Sequence, residues 1–209
     1  MLTDCPILLD DEHLLVIGKP EGLLSVPGKG PEKTDSLYYR LQQLWPGIRL
    51  VHRLDRDTSG LLVFARSLAV QQHLNRQFAE RTVNKQYIAL VYGHPADMRG
   101  EVNLPIRYNP ENPPTHIVDF VHGKPSLTHW SVLERRPGFT RVLLEPVTGR
   151  SHQLRVHMQA LGHPIAGDSL YAGDNDISAA PRLCLHAETL EFTHPVTGER
   201  LRLTLPAPF

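Results

Sequence analysis

The segment Val51–Ala65, VHRLDRDTSGLLVFA, constrains the fold of this chain more than any other stretch. Its last five residues are all apolar, and a short apolar run that follows a turn is typical of a strand buried on both faces. The turn itself is indicated by Asp57–Gly60, because Asp, Ser and Gly favour turns. Directly before that turn the sequence concentrates the ionisable residues His52, Arg53, Asp55 and Arg56. We therefore predict a charged loop that leads into a buried strand and holds its side chains at the edge of a cleft.

Segments of strand length also dominate the rest of the chain. Two short strands are expected around the acidic turn of ILLDDEHLLVIGKP, another in KQYIALVYG, and a pair in LTHWSVLE and TRVLLEPV. A terminal hairpin is expected from RLCLHAETLEFTHP and ERLRLTLPAP, in which Leu201, Leu203 and Leu205 alternate with polar residues. The stretch RYNPENPP has the composition of a loop.

Two segments show the apolar spacing of amphipathic helices. Apolar residues recur at every fourth position from Val70 to Phe78 after Ser67, a candidate N-cap, which predicts a helix that ends near Thr82. The segment SHQLRVHMQALGHP carries a second apolar stripe, with Ser151 as its predicted cap and Gly162 as its stop. Because strands dominate and helices are few, we predict a single α+β domain over residues 1–209, built on a large mixed or antiparallel sheet with a few flanking helices.

Length and composition favour a globular protein of the cytoplasm. The chain has 209 residues, of which 41% are hydrophobic, enough for a substantial core. It contains no apolar run near the ~20 residues of a membrane-spanning helix, and its start lacks the features of a signal peptide. The only cysteines, Cys5 and Cys184, form no disulfide framework and are predicted to be buried apolar residues.

Charge is balanced overall but clustered locally. Lys plus Arg and Asp plus Glu number 22 each, so composition gives no sign of a polyanionic partner. Positive and titratable residues nevertheless cluster around Arg53 and again in Arg150–His157. His152 and His157 are five positions apart, off a shared helix face, and no metal-binding spacing occurs, so we predict no metal site. From spacing alone, Asp55 or Asp57 could equally cap the turn, with the arginines as solvated charge.

The segment HRLDRDTSGLLVFA resembles the sequence that characterises the RluA-type pseudouridine synthases. The segments GKPEGLLSVPG, NKQYIALVYGHP, PVTGRSHQLRVHMQALGHPIAGDSLY and PRLCLHAETLEFTHP are similar to the same family, in the same order. The resemblance implies a pseudouridine synthase catalytic domain without a separate S4-like RNA-binding domain. It also implies that uridine is isomerised to pseudouridine in RNA without a cofactor, because the reaction involves no net redox change and loses no group.

The resemblance also implies roles for individual residues. Asp55 would be the catalytic carboxylate, attacking the ribose or the base or abstracting a ribose proton. Arg155, on the polar side of its helix, would pair with Asp55, because an ionised carboxylate in a partly dry pocket is costly without a cation. Tyr87 would stack on the target base, and Leu185 would close the other side of the uracil. The alternatives are a surface arginine for Arg155 and core packing for Tyr87 and Leu185.

RNA contacts follow from the same resemblance. A stacked uridine must be extruded before its glycosidic bond is accessible, and Arg53 would fill the vacated position. His52, Arg150 and His152 would contact backbone phosphates, or else have structural roles. The implied substrates are stem-loops of 23S ribosomal RNA and of the tRNA anticodon, the alternative being only one of these RNA classes. We expect a monomer that needs neither a membrane nor a metal.

Two other functions fit parts of the sequence. A glycosidase or nucleoside hydrolase would use two carboxylates, but residues two apart such as Asp55 and Asp57 rarely flank one bond at the separations of roughly 5–9.5 Å that this mechanism requires. A catalytically silent RNA-binding module would not require Asp55, Tyr87 and Arg155 together.

Overall fold

The computed structural model describes residues 2–173 and 180–209, and the protein is an α+β protein with a large, mostly antiparallel sheet. Contacts within the chain define two compact units. The first unit contains the chain up to Lys85 together with Ala187–Pro208, and the second contains Gln86–His186 together with Phe209. Within the described residues, no helix is long and apolar enough to cross a membrane.

The regular elements follow one another along the chain as short strands and a few helices. In chain order they are β1 (Ile7–Asp10), β2 (Leu14–Lys19), a 3-10 turn (Pro31–Lys33), α1 (Leu37–Leu44), β3 (Arg49–Leu50), β4 (Ser59–Ala65), α2 (Leu68–Ala79), β5 (Asn84–Tyr92), β6 (Arg99–Asn103), β7 (Ile106–Tyr108), β8 (His116–Val118), β9 (Leu127–Arg136), β10 (Phe139–Pro146), α3 (Gln153–Ala160), β11 (Leu185–Thr193) and β12 (Arg200–Thr204).

The first unit is built around the buried strands β2 and β4. They pair in antiparallel register from Leu14 opposite Ala65 to Lys19 opposite Gly60, and all of their residues are buried. β1 pairs with β2 on one side, and the first-unit part of β11 lies beside β4 on the other, with β12 paired to β11. Helix α2 contributes Val70 and Leu74 to the same apolar core. The wholly apolar run after the charged loop is therefore a fully buried strand, as predicted.

The second unit contains its own sheet strands and core. Strands β5, β10, β9 and β6 are neighbours in that order, and β7 and β8 form a separate two-stranded ladder. In β10 the residues at alternate positions, Thr140, Val142 and Leu144, are buried, as expected for strands with one face on a core. Helix α3 adds Leu154 and Met158 to this core.

The predicted elements compare closely with the structure at most positions. The two N-terminal strands, the pair β9 and β10, and the terminal hairpin are confirmed. Ser67 caps α2 by accepting the Val70 N–H at 3.3 Å, but the helix ends at Ala79, before the predicted Thr82. The short residue run at Arg107 and Tyr108, predicted as loop, belongs to β7.

The predicted cap of the second helix is wrong. Helix α3 begins at Gln153, and its N-cap is His152, in the left-handed region at φ 56°, with no side-chain capping bond. The Gln153 side chain instead organises this end of the helix, since its Oε1 accepts the Arg150 N–H at 3.1 Å and the Thr148 hydroxyl at 2.7 Å. Helix α1, capped by Ser36, was not predicted.

Both cysteines are buried, which confirms their prediction as apolar residues, and each unit holds one of them. Cys5 lies in the first unit and Cys184 in the second, each with 4% of its surface exposed. Burial raises the pKa of the Cys5 thiol because the thiolate would lose its hydration.

Gly60, at the start of β4, is required by both its backbone angle and its neighbours. Its φ of +118° disfavours any residue with a side chain. A Cβ at this position would lie 2.3 Å from the carbonyl oxygen of Ala187 and 2.5 Å from its nitrogen. Backbone atoms cannot move aside as a flexible side chain would, so the second residue of β4 must be glycine. The predicted turn at Asp57–Gly60 is therefore wrong in its second half, because Ser59 and Gly60 belong to β4.

We expect Gly60→Ala to destabilise the protein by more than about 2 kcal/mol, because strain and the clash with Ala187 add. Gly47→Ala is the matched control: a Cβ there would meet nothing within 4 Å, and we expect a change within about 1 kcal/mol. Urea unfolding of the two variants measures the difference. Equal stabilities would contradict the packing seen around Gly60.

Candidate active site

The loop that carries Asp55 is fixed on both sides of that residue. Directly before it, the Ser25 hydroxyl donates to the Leu54 carbonyl at 2.7 Å and accepts the Leu54 N–H at 3.0 Å. Directly after it, the Lys19 ammonium donates to the Arg56 carbonyl at 2.8 Å. Since both neighbouring peptide groups are bonded to other parts of the first unit, the half-buried Asp55 has little freedom to move with its loop. These hydrogen bonds hold the carboxylate-bearing loop rigidly, as predicted.

Lys19 is a buried cation that joins three segments of backbone. Its side chain lies at the end of β2 with 2% of its surface exposed. Besides the Arg56 carbonyl, its Nζ donates to the carbonyls of Pro20 and Leu23, each at 2.7 Å. Three acceptors match the three N–H donors of an ammonium, which offsets the cost of removing this charge from water. Lys19 thus ties the turn after β2 to the loop of Asp55.

We expect Lys19→Met to destabilise the protein by roughly 1–3 kcal/mol, because the buried Leu23 carbonyl and the part-buried Arg56 carbonyl lose their donor. Where the variant folds, the Asp55 loop should exchange its amide hydrogens faster than in wild type, since the ammonium anchors that loop. Urea unfolding and amide hydrogen exchange provide the two measurements. A variant of wild-type stability and exchange rates would show that the loop needs no such anchor.

The charged loop is also held by an uncharged histidine. His52 Nε2 accepts the Val63 N–H at 3.2 Å, and the ring packs against Phe78 with centroids 4.8 Å apart. Burial, with a smaller contribution from the positive charge of Lys85, lowers the pKa of His52 to about 3. The neutral ring therefore carries its proton on Nδ1, and any contact of His52 with a phosphate would be a neutral hydrogen bond rather than an ion pair.

His52 should make stability depend on pH. In the unfolded chain a histidine has a pKa of about 6.5, whereas in the folded protein the pKa of His52 is about 3. The unfolded state thus binds an extra proton between these values, and stability is lost as the pH falls through that range. Between about pH 6.5 and pH 5, we expect the free energy of unfolding to fall by about 2 kcal/mol less in His52→Gln than in wild type.

Urea unfolding at the two pH values measures this difference, and histidine NMR signals report the protonation of His52 directly. Gln is the chosen replacement because its side-chain oxygen can still accept the Val63 N–H without titrating. Identical pH dependence of the two proteins, or a His52 ring that titrates near pH 6.5, would contradict a neutral, half-buried imidazole.

In the second unit, α3 holds Arg155 in a buried, doubly bonded ion pair. Arg155 Nε and Nη2 donate to the two carboxylate oxygens of Asp168 at 2.7 and 2.6 Å. Both residues are buried, at 2% and 0% exposure, and the guanidinium carbon lies 5.0 Å from the centre of the Tyr171 ring. The alternative of a surface arginine is therefore wrong, as is its placement on a polar helix side, because α3 is buried on both sides at this position. Pairing of Arg155 with Asp55 stays a prediction.

Tyr171 also fixes the position of His152. Its hydroxyl oxygen accepts the backbone N–H of His116 at 2.8 Å and lies 2.6 Å from His152 Nδ1. These two contacts hold the His152 ring in one orientation. This fixed ring belongs to a residue with left-handed backbone geometry.

The other predicted site residues differ in exposure. Tyr87 is half-buried in β5, opposite Leu144, and part of its ring packs on the second unit's core. Leu185 lies within that core at 3% exposure. Arg53 and Arg150 are exposed, and Arg150 Nε lies 3.4 Å from the Pro125 carbonyl oxygen. Exposure suits the two arginines to RNA contact. The functional roles of all four stay predictions.

Asp57, two residues after Asp55, has a more exposed and simpler environment. Its Oδ1 lies 3.7 Å from Arg56 Nε, and both side chains of this pair are well exposed. Among the described residues it caps no turn, so that alternative is wrong for Asp57. An exposed pair of this kind contributes little to stability.

Several residues that hold the site were not identified from the sequence. Ser25, Lys19, Asp168 and Tyr171 each lie in a segment that carried the family resemblance, but none stands out by charge clustering or spacing. A lysine at the end of an apolar strand is the one usable signal, because such a lysine must find carbonyl or carboxylate partners when buried.

The chain is also similar to known proteins. A family model described as RNA pseudouridylate synthase matches residues 13–160. The chain belongs to this family. It is also 50% identical over 204 residues to the dual-specificity RNA pseudouridine synthase RluA of Salmonella typhi, a match that covers 97% of this chain and 93% of that protein. The protein of the same name from Pasteurella multocida is 51% identical over 200 residues, covering 95% and 91% of the two chains.

The solved structures give the same result for the fold of this pseudouridine synthase. Human RNA pseudouridylate synthase domain containing 1 superposes with a TM-score of 0.84 at 34% identity, covering 100% of this chain and 86% of that one. The resemblance noted in the sequence, the α+β fold class and the enzyme class are thereby confirmed.

Proposed function

We propose that this pseudouridine synthase isomerises specific uridines in stem-loops of both 23S ribosomal RNA and tRNA. The observation that carries the proposal is the identity of 50% over 97% of the chain to a relative named for dual specificity. The structure supports it with a rigidly held Asp55 loop and a buried, pre-oriented arginine on α3. The reaction breaks the bond between ribose C1′ and uracil N1 and forms one between C1′ and C5. The proton that C5 gives up is balanced by one that N1 gains, so the product is an isomer and no cofactor is proposed.

In this proposal Asp55 supplies the carboxylate, acting covalently or as a base. Tyr87 stacks on the uracil with the exposed part of its ring, and Leu185 limits the space on the other side. Arg155 provides positive charge for the carboxylate, and its bidentate bond to Asp168 holds the guanidinium plane in one orientation. An arginine that is already ordered loses little side-chain entropy when a substrate arrives.

The RNA contacts are proposed for residues whose exposure or geometry suits them. Arg53 is exposed, and its planar guanidinium can stack in the position that an extruded uridine leaves. Arg150 would contact a phosphate as a cation. His152 would contact a phosphate from a ring that Tyr171 holds in place, and His52 only as a neutral donor from Nδ1. We also propose that the chain acts as one catalytic domain and as a monomer in the cytoplasm.

Asp55→Asn tests the catalytic assignment, with Asp57→Asn as the matched control. We expect Asp55→Asn to reduce pseudouridine formation below about one-hundredth of wild type while RNA affinity stays within a few-fold, because only the carboxylate chemistry is lost. Asp57→Asn should remain nearly as active as wild type, since Asp57 makes only an exposed ion pair. Chromatographic separation of nucleosides from treated RNA gives the rates. The opposite order of the two variants would assign the chemistry to Asp57.

The same assay tests the substrate range and the rival functions. An isolated tRNA anticodon stem-loop and free ribosomal RNA should both be modified, because a compact protein recognises the folded shape of a loop and a few of its bases. Modification of only one RNA class would establish the narrower alternative. Release of free uracil would indicate a hydrolase, and RNA binding without product would indicate a silent binding module.

A further inference from the structure

A second candidate binding site lies in the second unit, beside the β7 and β8 ladder. A cavity of about 410 Å³ opens there between β7 and the segment before α3. Six polar or charged side chains border it, those of Arg107, Tyr108, His116, His122, Lys124 and Arg150. None of the predicted roles includes this cavity, although Arg150 was assigned to RNA on other grounds.

The lining of this cavity is strongly biased in charge. Lysine and arginine balance aspartate and glutamate over the whole chain, at 22 each. Among the described residues that line the cavity, there are three permanent cations and two histidines but no carboxylate. Within the described chain the Lys124 side chain forms no ion pair, and the Arg150 guanidinium contacts a carbonyl oxygen, that of Pro125. Such a concentration of positive charge attracts an anion.

Hydrogen bonds fix the backbone segments that carry Arg107 and Lys124. Arg107 Nε donates to the Asp119 carboxylate, and its Nη1 donates to the Tyr108 carbonyl at 3.0 Å. Ile106 and Lys124 exchange two backbone hydrogen bonds, of 3.0 and 2.9 Å. The Arg107 guanidinium, together with N–H bonds from the His122 and Val121 backbone, holds the pKa of the Asp119 carboxyl well below its usual range. A site arranged before binding loses less entropy when a ligand is bound.

An aromatic ring borders these cations. Tyr108 has 49% of its surface exposed, and its ring meets the His116 ring edge to face at 5.6 Å. An exposed tyrosine next to lysine and arginine offers a stacking surface for a base together with charges for phosphates. A protein surface with acidic groups would use the charges but has no need of a flat ring beside them.

We propose that this cavity binds a single-stranded stretch of the RNA substrate, with backbone phosphates at Lys124, Arg107 and Arg150 and one base against Tyr108. The inference rests on the proposed function for the presence of an RNA substrate. It adds a place where RNA is bound in addition to the uridine that reacts.

Salt-dependent RNA binding tests the phosphate contacts. For an anticodon stem-loop RNA, we expect Lys124→Ala to weaken binding several-fold at low salt and to reduce the slope of log affinity against log salt concentration by about 0.7, the value for one phosphate of a single strand. Lys124→Glu should weaken binding further. Arg76→Ala is the control: it removes one charge from an exposed position on α2 and should leave slope and activity unchanged. Thermal unfolding verifies that each variant is folded.

A second pair of variants tests the stacking surface. Tyr108→Ala should weaken binding by about five-fold or more, whereas Tyr108→Phe should bind as wild type does, because the ring and not the hydroxyl contacts the base.

Uridine 5′-monophosphate serves as the probe for a free nucleotide. It should bind far more weakly than the RNA, since it offers only one phosphate.

These measurements separate the inference from the proposed function. Affinity is measured without turnover, so a protein that binds the RNA but forms no pseudouridine would defeat the proposed function alone. Equal slopes for wild type and Lys124→Ala, or equal effects of Lys124→Ala and Arg76→Ala, would overturn the RNA site at this cavity. Tight binding of uridine 5′-monophosphate that Lys124→Glu abolishes would also overturn it, in favour of a free nucleotide.

Discussion

The hydrogen bonds of the buried Lys19 ammonium are the interaction on which the arrangement around Asp55 depends. They connect the end of a fully buried strand, the turn that follows it and the loop of the candidate catalytic carboxylate. An apolar residue at this position would fill the space but leave carbonyl groups without donors, which costs more than a hydrogen bond contributes when made. The buried charge therefore provides specificity of loop position, which apolar packing is too nondirectional to supply.

A comparable principle operates on α3, with a carboxylate as the partner instead of carbonyl groups. Asp168 accepts two bonds from Arg155 and further N–H bonds from Leu170 and Tyr171, so its oxygens are satisfied without water. Removing one partner from such a pair would leave a buried charge uncompensated. Each unit of the protein thus positions its functional segment through a buried ionic group rather than through apolar contacts alone.

The sequence predicted the elements whose stability comes from local pattern. The run at Leu61–Ala65 and the cap at Ser67 depend on neighbouring residues, so spacing was enough to identify them. Ser151 failed as a cap because Gln153, buried against Leu127 and Thr128, organises the start of α3 through side-chain bonds to β9 and the preceding loop. The partner of Arg155 is thirteen residues away at Asp168, and no periodicity reports a contact of that kind. The family resemblance named the candidate reacting residues but not the groups that hold them.

The two buried cysteines allow local unfolding to be measured separately in each unit. A thiol reagent modifies only an exposed thiolate, and Cys5 and Cys184 are both inaccessible in the folded protein. Their rates of modification in native buffer therefore measure how often the surrounding structure opens, separately for the first and the second unit. A labelling study of local unfolding in this protein therefore needs no introduced cysteine.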